Sequence, residues 1–335
     1  MTAVEPPMND NDWTYTIPYT HGGSPGEWAG EVLDPEMERT DPSRIASDIE
    51  QRILRTIKLV EERGYGLTLR KLSKGLIGGP IGIDHIRRAV AASDKFSFDG
   101  AFVCVPGSGN VFKCHDRRKS NRTLGPVYLK IAKEYVSELS RLCPWVECIM
   151  LSGSAASGGI ALGDDLDFDI VTKDGTKFIT YLLALALGLK YSIKNKTLFK
   201  DRYFGFLPKV VCVNVVWEKR QVLPFVRQDE QMAYELMISK VMFNQRFHAK
   251  MIRRNLWLKD YFPQLLDRTL QDPDLVEHRE RIASVKRPRI MNIVASKLLQ
   301  SLYQIIKLSR KNELEKLRRM EFVEAKKRPY GLFDE

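Results

Sequence analysis

The sequence predicts an α+β protein, in which a small mixed sheet with helices lies between a helical N-terminal part and a helical C-terminal region. Three observations support this prediction. Segments with the helical spacing of apolar residues alternate with short apolar segments of strand length. An acidic segment precedes them and a basic segment follows them. With 335 residues, of which 44% are hydrophobic, the chain is long enough for more than one core.

The N-terminal part is expected to consist of three helices and a β-hairpin. Apolar residues recur there with helical spacing, and Thr68 is a suitable N-cap for the second helix. A Pro-Gly-Ser-Gly turn then separates two strand-like segments. The predicted elements are helices at residues 45–62, at residues 69–76 and from residue 83, and strands at residues 96–105 and 111–114.

Three helices and a hairpin are typical of a winged helix-turn-helix, which we place at residues 44–120. In a DNA-binding version the third helix enters the major groove, and Arg87 and Arg88 lie on its predicted outer side. Winged helices also serve as packing or protein-contact modules, so both interpretations stay open. A basic segment at residues 113–120 follows, which we expect to be a connecting loop.

The central sheet is predicted from three apolar segments, and helices are predicted around it. An amphipathic helix precedes the first strand, because its apolar residues form a single stripe. The strands are expected at residues 146–151, 165–171 and 210–217. Helices are expected at residues 128–142, 231–247, 249–260 and 290–325, and another is expected after the turn at residues 173–175, ending near residue 188.

One short segment in the middle of the chain contains the residues that suggest chemistry. An apolar strand ends at Gly153-Ser154, and a second strand has aspartates at alternate positions. Because residues two apart on a strand share a face, Asp165, Asp167 and Asp169 are expected to point the same way. Carboxylates ~5 Å apart repel by about 3 kcal/mol at an effective dielectric near 20. A hard divalent cation with oxygen ligands, above all Mg²⁺ with a bound phosphate, would relieve that repulsion.

The pair Gly153-Ser154, followed in a nearby apolar strand by Asp165 and Asp167, resembles the signature of the polymerase-beta-like nucleotidyltransferase superfamily. The sequence is also similar, over about residues 45–265, to a little-characterised archaeal and bacterial group that has an N-terminal winged helix. The further motifs of that resemblance are Cys212-Val-Asn-Val-Val216, Glu235 in a helix, and Asn255-Leu-Trp-Leu-Lys-Asp-Tyr-Phe-Pro263.

The resemblance implies a nucleotidyltransferase core, which we place at residues 121–225. It implies metal-dependent transfer of a nucleoside monophosphate from a nucleoside triphosphate such as ATP, with release of pyrophosphate. The acceptor, whether nucleic acid, protein or small molecule, stays unknown. Asp165 and Asp167 would bind Mg²⁺ or Mn²⁺, and Gly153 and Ser154 would bind the β- and γ-phosphates.

Several other positions of the predicted active site stay open. The superfamily usually has a third acid on a later strand, and the corresponding position is expected at Asn214, which has no charge. Asp169 is either a third catalytic carboxylate or a solvated edge residue, and Glu218 is a weaker substitute. Lys173 and Lys177 either contact the nucleotide or are ordinary solvated lysines. If Asn214 prevents catalysis, the alternative is an inactive nucleotidyltransferase-fold regulator that binds nucleotide or nucleic acid through its winged helix.

The two ends of the chain have opposite charges. The first 50 residues contain eleven acidic and two basic residues, and we expect residues 1–43 to be a disordered acidic tail. Residues 226–335 are expected to form the helical C-terminal region. Its basic tail, residues 279–328, contains fifteen Lys or Arg and five Glu. Such a tail either attracts polyanions or is the solvated face of a docking helix.

Cysteine spacing and hydropathy argue against several other classes of protein. The five cysteines include no C-x-x-C pair, which argues against a disulfide framework and against a zinc knuckle. No apolar run approaches the ~20 residues that cross a bilayer, and no secretory signal is visible. We therefore expect a cytoplasmic protein without membrane insertion.

Overall fold

The computed structural model describes residues 42–61, 66–107, 110–196, 208–268, 288–309, 318 and 329–333. The predicted acidic tail lies almost wholly outside the described residues, as does most of the basic segment beyond residue 309. Within the described part, helices combine with a four-stranded and a two-stranded sheet, which confirms the α+β class. None of the described helices is long and apolar enough to cross a membrane.

The chain divides into two compact units. The first contains Met1–Leu129 and Ser157–Leu162, and the second contains Lys130–Ala156 and Gly163–Glu335. Helix α4, Asn110–Leu142, therefore belongs in part to each unit. The predicted division at residue 120 falls inside this helix.

In the first unit, three helices and a small antiparallel sheet share one apolar cluster. Ile53, Leu72 and Ile86, one from each helix, are fully buried in it. The hydroxyl of Thr68 accepts a hydrogen bond from the backbone N of Lys71 at 3.2 Å and so caps the second helix as predicted. The elements are α1 Pro42–Glu61, α2 Leu69–Gly75, α3 Ile83–Ala92, β1 Ser97–Phe98 and β2 Val103–Cys104.

Helix α4 replaces both the predicted strand at residues 111–114 and the predicted basic loop after it, so these two predictions are wrong. Cys114 in this helix is buried beside Phe102. Arg117, three residues further on, donates a hydrogen bond to the carbonyl of Gly159 at 2.9 Å. Both contacts join α4 to residues outside it. The strand was predicted from the four residues 111–114 alone, and their sequence gives no information about these contacts. The predicted helix at residues 128–142 is the second half of α4.

The second unit is built on a four-stranded mixed sheet with the strand order β5-β4-β3-β6. Strand β3 pairs antiparallel with β4 and with β6, whereas β4 pairs parallel with β5. The three predicted strands are confirmed, with bounds that differ by at most one residue. The strands are β3 Val146–Ser152, β4 Leu166–Thr172, β5 Val211–Glu218 and β6 Lys240–Phe243.

Strand β6 interrupts the helix that was expected at residues 231–247. The first helix ends at Ile238, and the next begins after Asn244. Asn244 has a φ of +54°, and its side chain accepts a hydrogen bond from the backbone N of Phe247 at 3.1 Å. This cap starts a new helix and leaves four residues free to pair with β3.

Two distant segments complete the second unit. Asn292 accepts hydrogen bonds from the backbone N of Phe178 (2.9 Å) and of Ile179 (3.0 Å) at the start of helix α6. Tyr330 lies against the rings of Trp217 and Phe225. The helices are α5 Gly153–Ser157, α6 Lys177–Lys194, α7 Lys219–Val222, α8 Glu230–Ile238, α9 Gln245–Arg254, α10 Gln264–Arg268 and α11 Arg289–Ser309, with a 3₁₀ helix at Leu256–Asp260.

Candidate metal centre

The candidate site lies where β3 ends and β4 begins. Because the two strands are antiparallel, Ser152 lies opposite Asp167, and the turn after β3 meets the first residues of β4. Gly153 in that turn has a φ of +64°, in the left-handed region that favours glycine. A Cβ added to Gly153 would overlap Oδ2 of Asp167 and lie 3.2 Å from its Cγ. The backbone therefore approaches this carboxylate as only glycine allows.

Two carboxylates and a thiol converge beside this turn. Asp165, Asp167 and Cys212 each offer one ligand atom, and the three atoms lie within 4.8 Å of one another. Cys212 is in this position because it pairs directly with Asp167 across the parallel strands β4 and β5. All three residues are partly buried. Elsewhere in the described residues, no other group of three such side chains comes this close together.

Lys209 adds a positive charge to this group. Its Nζ lies 2.5 Å from Oδ2 of Asp165. Burial would lower the pKa of Lys209, but the neighbouring Cys212 and Asp165 outweigh that effect and raise it. The ammonium group therefore stays protonated and offsets part of the negative charge of the carboxylates.

The pKa values of the site reflect the cost of gathering negative charge there. Burial, and next the charge of Asp165, raise the pKa of the Asp167 carboxyl from 3.8 to about 6, against the opposing effect of Lys209. Burial likewise raises the pKa of the Cys212 thiol to about 11, although Lys209 acts to lower it. A cation bound among these groups would favour their charged forms.

Asp169 and Asn214 form a separate pair. Asn214 Nδ2 donates a hydrogen bond to Oδ1 of Asp169 at 2.9 Å, and Asp169 is buried. A register shift at Asp169 leaves Asn214 without an opposite residue on β4, because Val213 and Val215 pair with successive residues there. Cys212, which precedes this shift, lies opposite Asp167, whereas Asn214 contacts Asp169. Sequence reasoning named Asn214 because the sequence of one strand does not contain the register between strands.

The structure separates Lys173 and Lys177 from this end of the sheet. The backbone N of Lys173 bonds to the carbonyl of Trp145, before the start of β3. The seven residues of β4 separate Lys173 from Asp165, a distance of roughly 26 Å for eight steps of about 3.3 Å each. Lys177 is buried, and its Nζ donates to the carbonyl of Gly331 at 2.9 Å. The positions of both lysines argue against the predicted nucleotide contacts.

Two further candidate residues, Ser154 and Glu218, lie at different places in the second unit. Ser154 is buried in the first turn of α5, directly after Gly153. Glu218 is at the far end of β5, where its side chain accepts a hydrogen bond from the backbone N of Gly175 at 2.8 Å and pairs with Arg220 at 3.0 Å. Glu218 is therefore remote from the carboxylates that it was expected to assist.

Sequence reasoning missed Lys209 and the position of Cys212. The only available signal was their place at the start of the third apolar strand, where Lys209 is five residues and Cys212 two residues before Asn214. Comparison with protein-family models, with curated proteins and with solved structures finds no match to this chain. The residues of the site alone therefore support the functional conclusion.

Proposed function

We propose that the second unit has a nucleotidyltransferase fold and transfers a nucleoside monophosphate from a nucleoside triphosphate to an acceptor, with a divalent cation. The main support is the approach of the Gly153 backbone to the carboxylate of Asp167, with Asp165 two residues away on the same strand end. This geometry joins the glycine turn and the carboxylate pair in one site, as the resemblance of the sequence requires.

The donor groups fit a divalent cation. Asp165 and Asp167 supply oxygen ligands of the kind that Mg²⁺ and Mn²⁺ prefer. The ammonium group of Lys209 already contacts one of these carboxylates, so the cluster accommodates a positive charge. When bound, the cation would neutralise developing charge on the transferred phosphate and lower the pKa of the acceptor hydroxyl.

The turn at Gly153 is suited to the phosphates of the nucleotide. A left-handed residue in a tight turn orients backbone N–H groups to one side, which creates a concave surface for anions. Ser154 follows in the same turn, and its side chain is buried. We therefore assign phosphate binding chiefly to backbone groups of Gly153 and Ser154.

Label transfer tests this proposal directly. The protein is incubated with each α-labelled nucleoside triphosphate, with Mg²⁺, Mn²⁺ or Co²⁺, and with a panel of RNA, protein and small-molecule acceptors. We expect transfer by the wild type and by Asp174→Asn, which removes a carboxylate at the opposite end of β4. The double variant Asp165→Asn/Asp167→Asn should fall to background. Equal transfer by the wild type and the double variant would refute the proposal.

A second candidate function is a regulator without catalysis. Only two of the three converging donors are carboxylates, and the neutral Asn214 pairs with Asp169. In the first unit, three helices followed by a hairpin support the proposal of a winged helix, and Arg87 and Arg88 are exposed on α3. Such a protein would bind nucleotide or nucleic acid and respond without turnover.

Salt-dependent binding of duplex DNA and RNA tests the regulator. Neutralised phosphates release counterions, so each contact contributes about 0.9 to the slope of log affinity against log salt. Arg87→Ala/Arg88→Ala should therefore reduce the slope by about 1.8. The matched control, Arg55→Ala/Lys58→Ala, removes two exposed positive charges from α1 and should leave the slope unchanged. Absence of binding even at low salt would eliminate regulation through nucleic acid, which is the main support for this function.

A further inference from the structure

The thiol of Cys212 places a sulfur atom among the oxygen donors of the candidate cation site. It pairs with Asp167 across the sheet, and its Sγ is within 4.8 Å of the donor oxygens of both aspartates. The thiol is close enough to its charged neighbours to lower the pKa of Asp167 and to raise the pKa of Lys209. Cys212 therefore faces the charged groups of the site, although its neighbours Val211 and Val213 are buried in the core.

Positive charge already lies beside this cluster. The Nζ of Lys209 is 2.5 Å from Oδ2 of Asp165. A cationic group thus already contacts one of the proposed ligands. The side chain of Lys209 is 64% exposed, so it can swing into solvent when another cation enters.

We propose that Cys212 is a third protein ligand of the cation site, and that this site selects a divalent cation of borderline softness, represented by Zn²⁺ and Co²⁺, over Mg²⁺. The inference rests on the proposed cation site and adds the identity of its occupant. On binding, the thiol loses its proton to solvent and forms a metal–sulfur bond.

Charge and ligand chemistry support this selection. Two carboxylates and a thiolate carry three negative charges, of which a divalent cation neutralises two. Thiolate is a soft ligand that Mg²⁺ does not favour, whereas Zn²⁺ and Co²⁺ accept mixed sulfur and oxygen donors. Three protein ligands also leave a coordination position for water or a phosphate oxygen, as in catalytic sites.

Titration of the full chain with Co²⁺ tests the proposal, because thiolate ligation produces a charge-transfer absorption band. We expect this band in the wild type and its loss in Cys212→Ser, which retains a hydrogen-bonding group of similar size. Co²⁺ binding should weaken by about tenfold or more, since even the loss of an outer-shell partner has that effect. Cys143→Ala, which removes another buried thiol of the same unit, is the matched control and should retain the band.

A reciprocal variant sharpens the test. Cys212→Asp replaces the sulfur by a third carboxylate and should reverse the preference, with stronger Mg²⁺ binding and no charge-transfer band. Suppose that the folded wild type binds Co²⁺ without the band and that Asp165→Asn/Asp167→Asn abolishes this binding. That result would overturn the role of Cys212 but leave the proposed function intact. No binding of any divalent cation would overturn both. A cysteine-dependent Co²⁺ site without nucleotidyl transfer would overturn the proposed function alone.

Discussion

Replacing Asp167 by Asn should stabilise the cation-free protein at about pH 8. The Asp167 carboxyl has a pKa of about 6 because burial and the charge of Asp165 disfavour its ionised form, whereas the ordinary value is 3.8. At 1.36 kcal/mol per pH unit, this rise corresponds to about 3 kcal/mol of unfavourable free energy in the folded carboxylate. Asn has nearly the same shape and no charge, so it avoids this cost.

The pH dependence gives the prediction its sign. Below about pH 3, Asp167 is protonated in both the folded and the unfolded chain, and the two proteins should be equally stable. As the pH rises from 3.8 to about 6, the unfolded chain loses its proton first, so the wild type loses stability relative to the variant. Above that range the difference should stay constant at about 3 kcal/mol.

Urea unfolding in the presence of a chelator measures this difference. Fluorescence of Trp145 and Trp217 follows the unit that contains the site. Asp174→Asn serves as the control for the loss of one carboxylate elsewhere on the same unit. Added Co²⁺ or Mn²⁺ should reverse the order, because the cation stabilises the wild type and has lost a ligand in Asp167→Asn. A variant that is less stable than the wild type at pH 8 without a cation would refute the reasoning.

Three further predictions concern the second unit. Gly175→Ala should lower the free energy of unfolding by about 1–2 kcal/mol, because a φ of +79° is strained for alanine although nothing lies near the new Cβ. Gly153→Ala should lower it more and abolish cation binding, and equal losses in urea unfolding would contradict the close approach of Gly153 to Asp167. Asn292→Ala should cost about 1 kcal/mol in thermal unfolding through the loss of its two hydrogen bonds to α6, whereas Asn292→Asp retains the acceptor and most of the stability. Lys209→Met should tighten Co²⁺ binding about two- to fivefold, because its ammonium group no longer competes for Asp165; weaker binding would assign Lys209 a supporting role.

Local alternation was sufficient to predict that Asp165 and Asp167 share one face, because two-residue spacing on a strand depends only on the strand itself. Gly153 could be predicted from its turn for the same reason. The position of Cys212 depends on the register between β4 and β5, which includes a shift at Asp169. Register is set by packing across the sheet, and the sequence of one strand does not contain it.

The predictions that the structure does not support have a similar cause. The lysine at residue 177 follows the acidic strand closely in sequence, but strand β4 carries it to the opposite end of the sheet, where it bonds to Gly331. Strand β6 is only four residues long and forms because β3 offers an edge for pairing. In each case the deciding partner is distant in the chain.

The contacts of Tyr330 and Gly331 have a consequence for synthesis of the chain. Lys177 meets Gly331 across 154 positions, and Tyr330 seals the aromatic group around Trp217. During translation the central strands emerge long before residues 330 and 331. The rings of Trp217 and Phe225 therefore lack their contact with Tyr330 until that segment has left the ribosome. Closing so long a loop is entropically costly, and we expect nascent chains truncated before Tyr330 to bind chaperones more strongly than the full-length chain.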